Sequence, residues 1–122
     1  MSKDRAASRP LKKVEFEIRF ATREAEKGWV DARATARNAL VDAWDFLTRT
    51  PQERCDRCYP LRGDLNKVTI GGETFERWQY KITDGGRLWY AVARDSSGGG
   101  IVHLVLVTLG HPSETDSGKN YR

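Results

Sequence analysis

Arg77, Lys81, Arg87 and His111 stand at defined intervals in one stretch of this 122-residue chain, and their side chains suit work on a phosphodiester. Arg and Lys neutralise phosphate oxygens through charge-assisted hydrogen bonds. Such donors matter most in a transition state, where extra negative charge gathers on those oxygens. His has an unperturbed pKa near working pH and so can give or take a proton. Together they could hold and cut an RNA backbone, provided the fold turns them toward one place.

The elements around them can be read from alternation. Runs at Lys67–Ile70, Phe75–Thr83, Arg87–Arg94 and Ile101–Leu109 are separated by Gly71-Gly72, Asp84-Gly85-Gly86 and Ser96–Gly100. Paired glycines between alternating apolar runs signal hairpins. The last run is apolar on both faces and is expected in the sheet interior. In the second and third strands Trp78, Tyr80, Ile82, Leu88, Tyr90 and Val92 share one parity, which should face a core. The other parity gathers Arg77, Lys81 and Arg87 on the opposite surface, because side chains in a strand alternate with a period of two. Lys81 and Arg87 flank one turn and should be neighbours. A solvated sheet face with scattered charge would show the same spacing.

Upstream, Val14, Phe16, Ile18 and Phe20 alternate with Glu15, Glu17 and Arg19, the pattern of a half-buried strand. Thr22 then precedes an acidic first turn (Glu24, Glu26), as a helix N-cap should. Gly28 is a candidate break in that helix. From Trp29 to Leu47 apolar residues recur at steps of three and four, and Thr50-Pro51 ends the stripe. At this spacing Trp29 and Trp44 read as core rather than as base-stacking platforms. The expected architecture is α+β: an N-terminal strand, one or two helices, and a four-strand antiparallel meander with the helices packed on one face.

Charge limits the interpretation. The chain carries 21 Lys and Arg against 17 Asp and Glu, a formal +4. Residues 1–13 account for that excess, with Lys3, Arg5, Arg9, Lys12 and Lys13 against Asp4; the rest of the chain is balanced. A generally basic body is therefore no argument for nucleic acid, and particular cations must carry it. Residues 1–13 read as a solvated basic tail, 14–115 as one domain and 116–122 as a short C-terminal tail. With no charged-then-apolar leader and no long apolar run, the expectation is a soluble cytoplasmic protein without a membrane span.

Two tempting motifs carry less. Cys55-Asp56-Arg57-Cys58 has zinc-ligand spacing but lacks a second CxxC, so zinc would need His103 and His111 from a distant strand. Reduced loop thiols are the expectation, and no metal site is assigned. Ser96-Ser97-Gly98-Gly99-Gly100 is followed by neither a helix nor Lys-Ser/Thr, so it reads as a hairpin loop rather than a phosphate loop.

The order of short motifs is more specific than any one of them. Leu61-Arg62-Gly63-Asp64 is followed by Trp78-Gln79-Tyr80-Lys81-Ile82, then Gly85-Gly86-Arg87-Leu88-Trp89-Tyr90, then an apolar strand ending in Gly110-His111-Pro112. In this the chain resembles the RelE/ParE toxin superfamily, most closely its RelE-like branch. The resemblance implies a ribosome-dependent mRNA endoribonuclease, the toxin of a toxin–antitoxin pair, with antitoxin, ribosome and mRNA as partners. Such enzymes need no metal or other cofactor: the RNA 2′-hydroxyl attacks the adjacent phosphate, leaving a 2′,3′-cyclic phosphate and a 5′-hydroxyl. It implies Lys81 and Arg87 as phosphate stabilisers, His111 as acid or base, and Arg62, Lys67 and Arg77 as RNA-holding residues. The antitoxin would add a helix or strand and block the cationic face.

The chain also departs from that pattern. Pro112 stands where many members have Arg, and Ser117 or Gly118 where several have a catalytic Tyr, leaving Tyr121 as the nearest phenol. Two alternatives stay open: a gyrase-poisoning toxin on the same scaffold, and a noncatalytic nucleic-acid-binding or adaptor module.

Overall fold

The computed structural model describes residues 6–110. The elements run β1 (Phe16–Phe20), α1 (Arg23–Thr35), α2 (Arg37–Arg49), β2 (Cys58–Pro60), a 3-10 turn (Gly63–Asn66), β3 (Lys67–Ile70), β4 (Glu73–Glu76), β5 (Trp78–Lys81), β6 (Arg87–Arg94) and β7 (Gly100–Thr108). Five strands form one sheet in the order β1-β7-β6-β5-β2, and β3-β4 forms a separate two-stranded hairpin. The expected α+β class holds, with both helices on one face of the main sheet. As its doubly apolar sequence requires, β7 lies inside, between parallel β1 and antiparallel β6.

The meander is rearranged. The strand expected over residues 75–83 is split at Arg77, whose amide donates to Asn66 O at 2.5 Å and whose carbonyl accepts from Leu61 N at 2.9 Å. That residue is the joint where the chain leaves the small hairpin and enters the main sheet. Cys58–Pro60, expected as loop, is a strand pairing with β5, with Tyr59 opposite Gln79.

The helices are fixed by three devices. Thr22 caps α1, accepting from Ala25 N at 2.9 Å and donating to Val105 O at 2.8 Å. Val105 is the extra residue of a bulge, since Trp89 pairs with Leu106 and Tyr90 with Leu104. The bulge presents its carbonyl to the cap. Gly28 does not break α1: the helix runs through it, and its missing side chain lets the helix touch β7. A Cβ there would lie 1.9 Å from the carbonyl oxygen of Val107. The break falls instead at Ala36, whose backbone (φ −142, ψ 49) separates α1 from α2.

Between helices and sheet lies the main core, including Phe16, Leu47, Leu88, Tyr90, Val102 and Leu104. Tyr90 donates its phenol hydrogen to Pro51 O at 2.6 Å, and Cys58 Sγ lies 3.0 Å from that phenol oxygen. Burial pushes the Cys58 thiol up to about 11, while Cys55 is exposed. Thiolate is the reactive form. An alkylating reagent at neutral pH should therefore label Cys55 promptly and Cys58 only once urea unfolds the chain. Mass mapping checks this, and equal labelling of both in the native protein would contradict it.

Part of the basic N-terminal stretch is engaged. The Glu15 carboxylate accepts from Arg9 at 2.7 and 3.0 Å and from the Lys12 amide at 2.7 Å, with Arg49 at 3.6 Å. The Arg9 and Lys12 hydrogen bonds hold Glu15 down at about 2. Its folded value is below its unfolded one, so its contribution is complete above about pH 4.5. That contribution fades as pH falls toward 2. Glu15→Gln should flatten the acid limb of stability against pH, which urea titrations between pH 2 and 6 will read.

Candidate functional site

The face away from the helices carries Tyr59, Arg77, Gln79, Lys81, Arg87, Trp89 and Ala91, as strand parity requires. Lys81 and Arg87 are direct cross-strand partners. Residues so paired hold their Cβ atoms about 5 Å apart. Arg57 extends the row: its carbonyl accepts from Lys81 N at 2.8 Å, and its guanidinium donates to Lys81 O at 2.6 Å. Three cations thus cross one end of the β2-β5-β6 sheet. Arg57 precedes a three-residue strand, too short for alternation to show which face its neighbours take.

This face is not open along its length. The β3-β4 hairpin folds over it, bringing the Phe75 ring 5.7 Å from the ring of His103 on β7. Beneath lies a second, polar-lined core in which Trp89 Nε1 donates to Gln79 Oε1 at 2.7 Å and Gln79 Nε2 donates to Tyr59 Oη at 2.9 Å. Burial lowers the pKa of His103, and Arg19 lowers it further.

The expectation of a uniformly exposed cationic face is therefore corrected at two positions. Arg77 is 5% exposed, with its guanidinium 5.3 Å from the Trp89 ring centroid and a hydrogen bond to Lys67 O at 3.1 Å. It fastens the hairpin to the sheet. Arg87 is 8% exposed, and its Nη1 donates to the carbonyls of Thr83, Asp84 and Gly86 at 3.2, 3.0 and 2.9 Å. The physical reason is shared. A guanidinium offers several donors in a planar fork and stacks well on aromatics, so it can be drawn into a turn or under a hairpin where an ammonium would stay in water.

Lys81 is only half-buried, with its ammonium 5.4 Å from the Tyr59 ring centroid. Such a contact holds the cation in place without neutralising it. Arg62 and Lys67 are exposed, before and at the start of the hairpin. Thr108 pairs with Arg87, so β7 ends beside this cationic row. His111 lies outside the described residues, as do Pro112, Ser117, Gly118 and Tyr121. The phenol that meets the row is Tyr59, in a segment expected as loop, whose ring centroid lies 5.4 Å from the Lys81 ammonium.

No family model matches the chain, nor does any curated protein sequence. A solved structure does: a YoeB/ParE toxin from Agrobacterium tumefaciens, 20% identical, with a TM-score of 0.58 over 80% of this chain and all of the other. The fold is that of a RelE/ParE-type toxin. At this identity the likeness concerns the backbone, and the side chains of the toxin fold must be judged on their own positions. What it supports is the α+β arrangement of N-terminal strand, helices and sheet expected from the motif order; the parallel pairing of β1 with β7 was not part of that expectation. No helix among the described residues is long and apolar enough to cross a membrane.

Proposed function

We propose that this chain is the toxin of a toxin–antitoxin pair and acts as a ribosome-dependent mRNA endoribonuclease in the cytoplasm. One observation carries the chemistry: Lys81, half-exposed, is paired with Arg87 and flanked by Arg57 on the sheet face away from the helices. In this reading the Lys81 ammonium meets the non-bridging phosphate oxygens as the RNA 2′-hydroxyl attacks. Arg57 adds positive potential from the exposed edge. Arg87, whose Nη1 is spent on the turn carbonyls, sets the shape of the Thr83–Gly86 turn and adds its charge from behind. His111 follows β7 in sequence and supplies the proton transfer, taking the 2′-hydroxyl proton or giving one to the departing 5′-oxygen. Arg62 and Lys67 hold the RNA or ribosomal backbone, and Arg77 serves that surface by anchoring the hairpin beneath it. Dependence on a 2′-hydroxyl makes the enzyme selective for RNA.

Induced expression in a bacterial host tests this. Growth arrest with transcripts cut inside translated frames is the expected result, relieved by co-expression of a cognate antitoxin. A second reading draws on the burial of Arg77 and Arg87, which removes two cations from the open face: a gyrase-directed toxin without nuclease chemistry. It predicts a DNA-damage response and intact transcripts.

A further inference from the structure

Cys55 and Cys58, two thiols that the RNA chemistry does not use, face each other across a tight hairpin. Cys55 N donates to Cys58 O at 2.9 Å and Cys58 N donates to Cys55 O at 3.1 Å, so the two form a closed antiparallel bridge. Residues that exchange both hydrogen bonds hold their Cα atoms about 5.5 Å apart. The commonest Cα separation across a protein disulfide is about 5.5–6 Å. Directly opposed residues also send their side chains to one face of the ladder. The pair therefore has the backbone geometry that a sulfur–sulfur bond requires, with Asp56 and Arg57 as the turn between.

The two thiols differ in access. Cys55 is exposed, whereas Cys58 is fully buried, its Sγ 3.0 Å from Tyr90 Oη and 3.7 Å from Pro51 O. One sulfur meets reagents from solution and the other meets its neighbour, the arrangement of an accessible redox thiol beside a resolving one. A metal is the poorer occupant: among the described residues no group of three or more His, Cys, Asp or Glu side chains could hold one. Arg57 connects the pair to the sheet. Its carbonyl accepts from Lys81 N at 2.8 Å, and its guanidinium donates to Lys81 O at 2.6 Å and Ile82 O at 3.4 Å. The strand that follows, β2, is an edge of three residues. So short an edge opens locally more readily than the sheet interior. A bond closing the hairpin holds Arg57 against Lys81.

We propose that Cys55 and Cys58 are a redox modification site, closing reversibly to a disulfide that clamps the Arg57 turn onto the Lys81 end of the sheet. The oxidant is a small-molecule disulfide. The Cys55 thiolate attacks one of its sulfurs, forming a mixed disulfide and releasing one small thiolate. Cys58 then gives up its proton, leaves Tyr90 and attacks the Cys55 sulfur, expelling the second small thiolate. Two protein thiols are oxidised and one small disulfide is reduced to two thiols, which take up the protons. In a reducing compartment such a bond is transient and responds to oxidant. It forms whether or not Lys81 meets RNA.

The test equilibrates the full chain with glutathione buffers from fully reduced to fully oxidised, quenches with acid and digests with trypsin without reduction. Cleavage after Arg54 and Arg62 releases residues 55–62, which stay joined through their sulfurs even where Arg57 is also cut. The expected product has lost two hydrogens and regains them in reduced glutathione. Hydrogen exchange at the Lys81 amide, which donates to Arg57 O, should slow about tenfold on oxidation. Cys55→Ser, at an exposed position, should abolish both changes and leave Cys58 a free thiol. A glutathione adduct that persists on Cys55 beside a free Cys58, dimers linked through Cys55, or a chain still reduced in the most oxidising buffer would each overturn the proposal. So would unchanged Lys81 exchange in the cross-linked chain, or slowing that survives in Cys55→Ser.

Discussion

Gly28→Ala is expected to destabilise the protein even though alanine is the better helix former. Gly to Ala in a helix interior ordinarily gains about 1 kcal/mol. Here the new methyl would lie 1.9 Å from Val107 O and 2.7 Å from Val107 C, both backbone atoms of an interior strand. Neither can step aside as a flexible side chain would. The helix must lift from β7, loosening the Thr22–Val105 contact and the packing of Ala25 and Ala32, both fully buried. Forcing extra volume into a packed interior costs about 1–3 kcal/mol and sometimes more. We expect a net loss of about 2 kcal/mol or greater after the helix-propensity gain. Lys27→Ala, on the exposed side of the same helix, should change stability by less than about 0.5 kcal/mol. Urea midpoints for the two variants decide the matter. Equal stability of Gly28→Ala and the unsubstituted protein would show that α1 does not sit on β7 as described.

Lys81 and Arg87 should separate chemistry from stability. Lys81→Ala removes a half-exposed ammonium whose backbone remains in the β5–β6 ladder, so folding should be nearly unchanged. RNA cleavage should fall about a hundred- to a thousandfold, the usual loss when one preorganised donor to a developing anion is removed. Arg87→Ala is a different experiment. It strips a buried guanidinium from the carbonyls of Thr83, Asp84 and Gly86. Hydrogen bonds to a charged group are worth about 1.5–3 kcal/mol, and a loss of that order in stability is expected. Reduced cleavage in Arg87→Ala alone would therefore not identify a phosphate ligand. Paired measurement of cleavage rate and urea midpoint distinguishes the two roles.

Much of this fold is legible in local pattern. Alternation places β1, β6 and β7, the Thr22 cap starts α1, and Pro51 ends α2, because each rests on interactions between residues near in sequence. Parity likewise puts Lys81 beside Arg87. What parity cannot say is what covers a face. That depends on Phe75 reaching His103 and Arg77 reaching Trp89, contacts made by a hairpin folding back across the sheet. The strand of Cys58–Pro60 was invisible because three residues are too few for alternation to register. Gly28 was ambiguous for a related reason: glycine inside a helical stripe means either a break or a close approach, and only the position of Val107 chooses. The burial of Arg87 reflects a turn whose carbonyls converge, which depends on backbone geometry rather than on residue order.

The central claim is that the Lys81 end of the sheet cuts RNA. It is tested most directly by mapping the 5′ ends of a translated mRNA after expression of the unsubstituted chain and of Lys81→Ala at matched protein levels. The account predicts new ends bearing 5′-hydroxyls within the reading frame, with 2′,3′-cyclic phosphate on the upstream fragments, and their disappearance in the variant. Intact transcripts from the unsubstituted chain, or the same cuts at undiminished yield from Lys81→Ala, would contradict it.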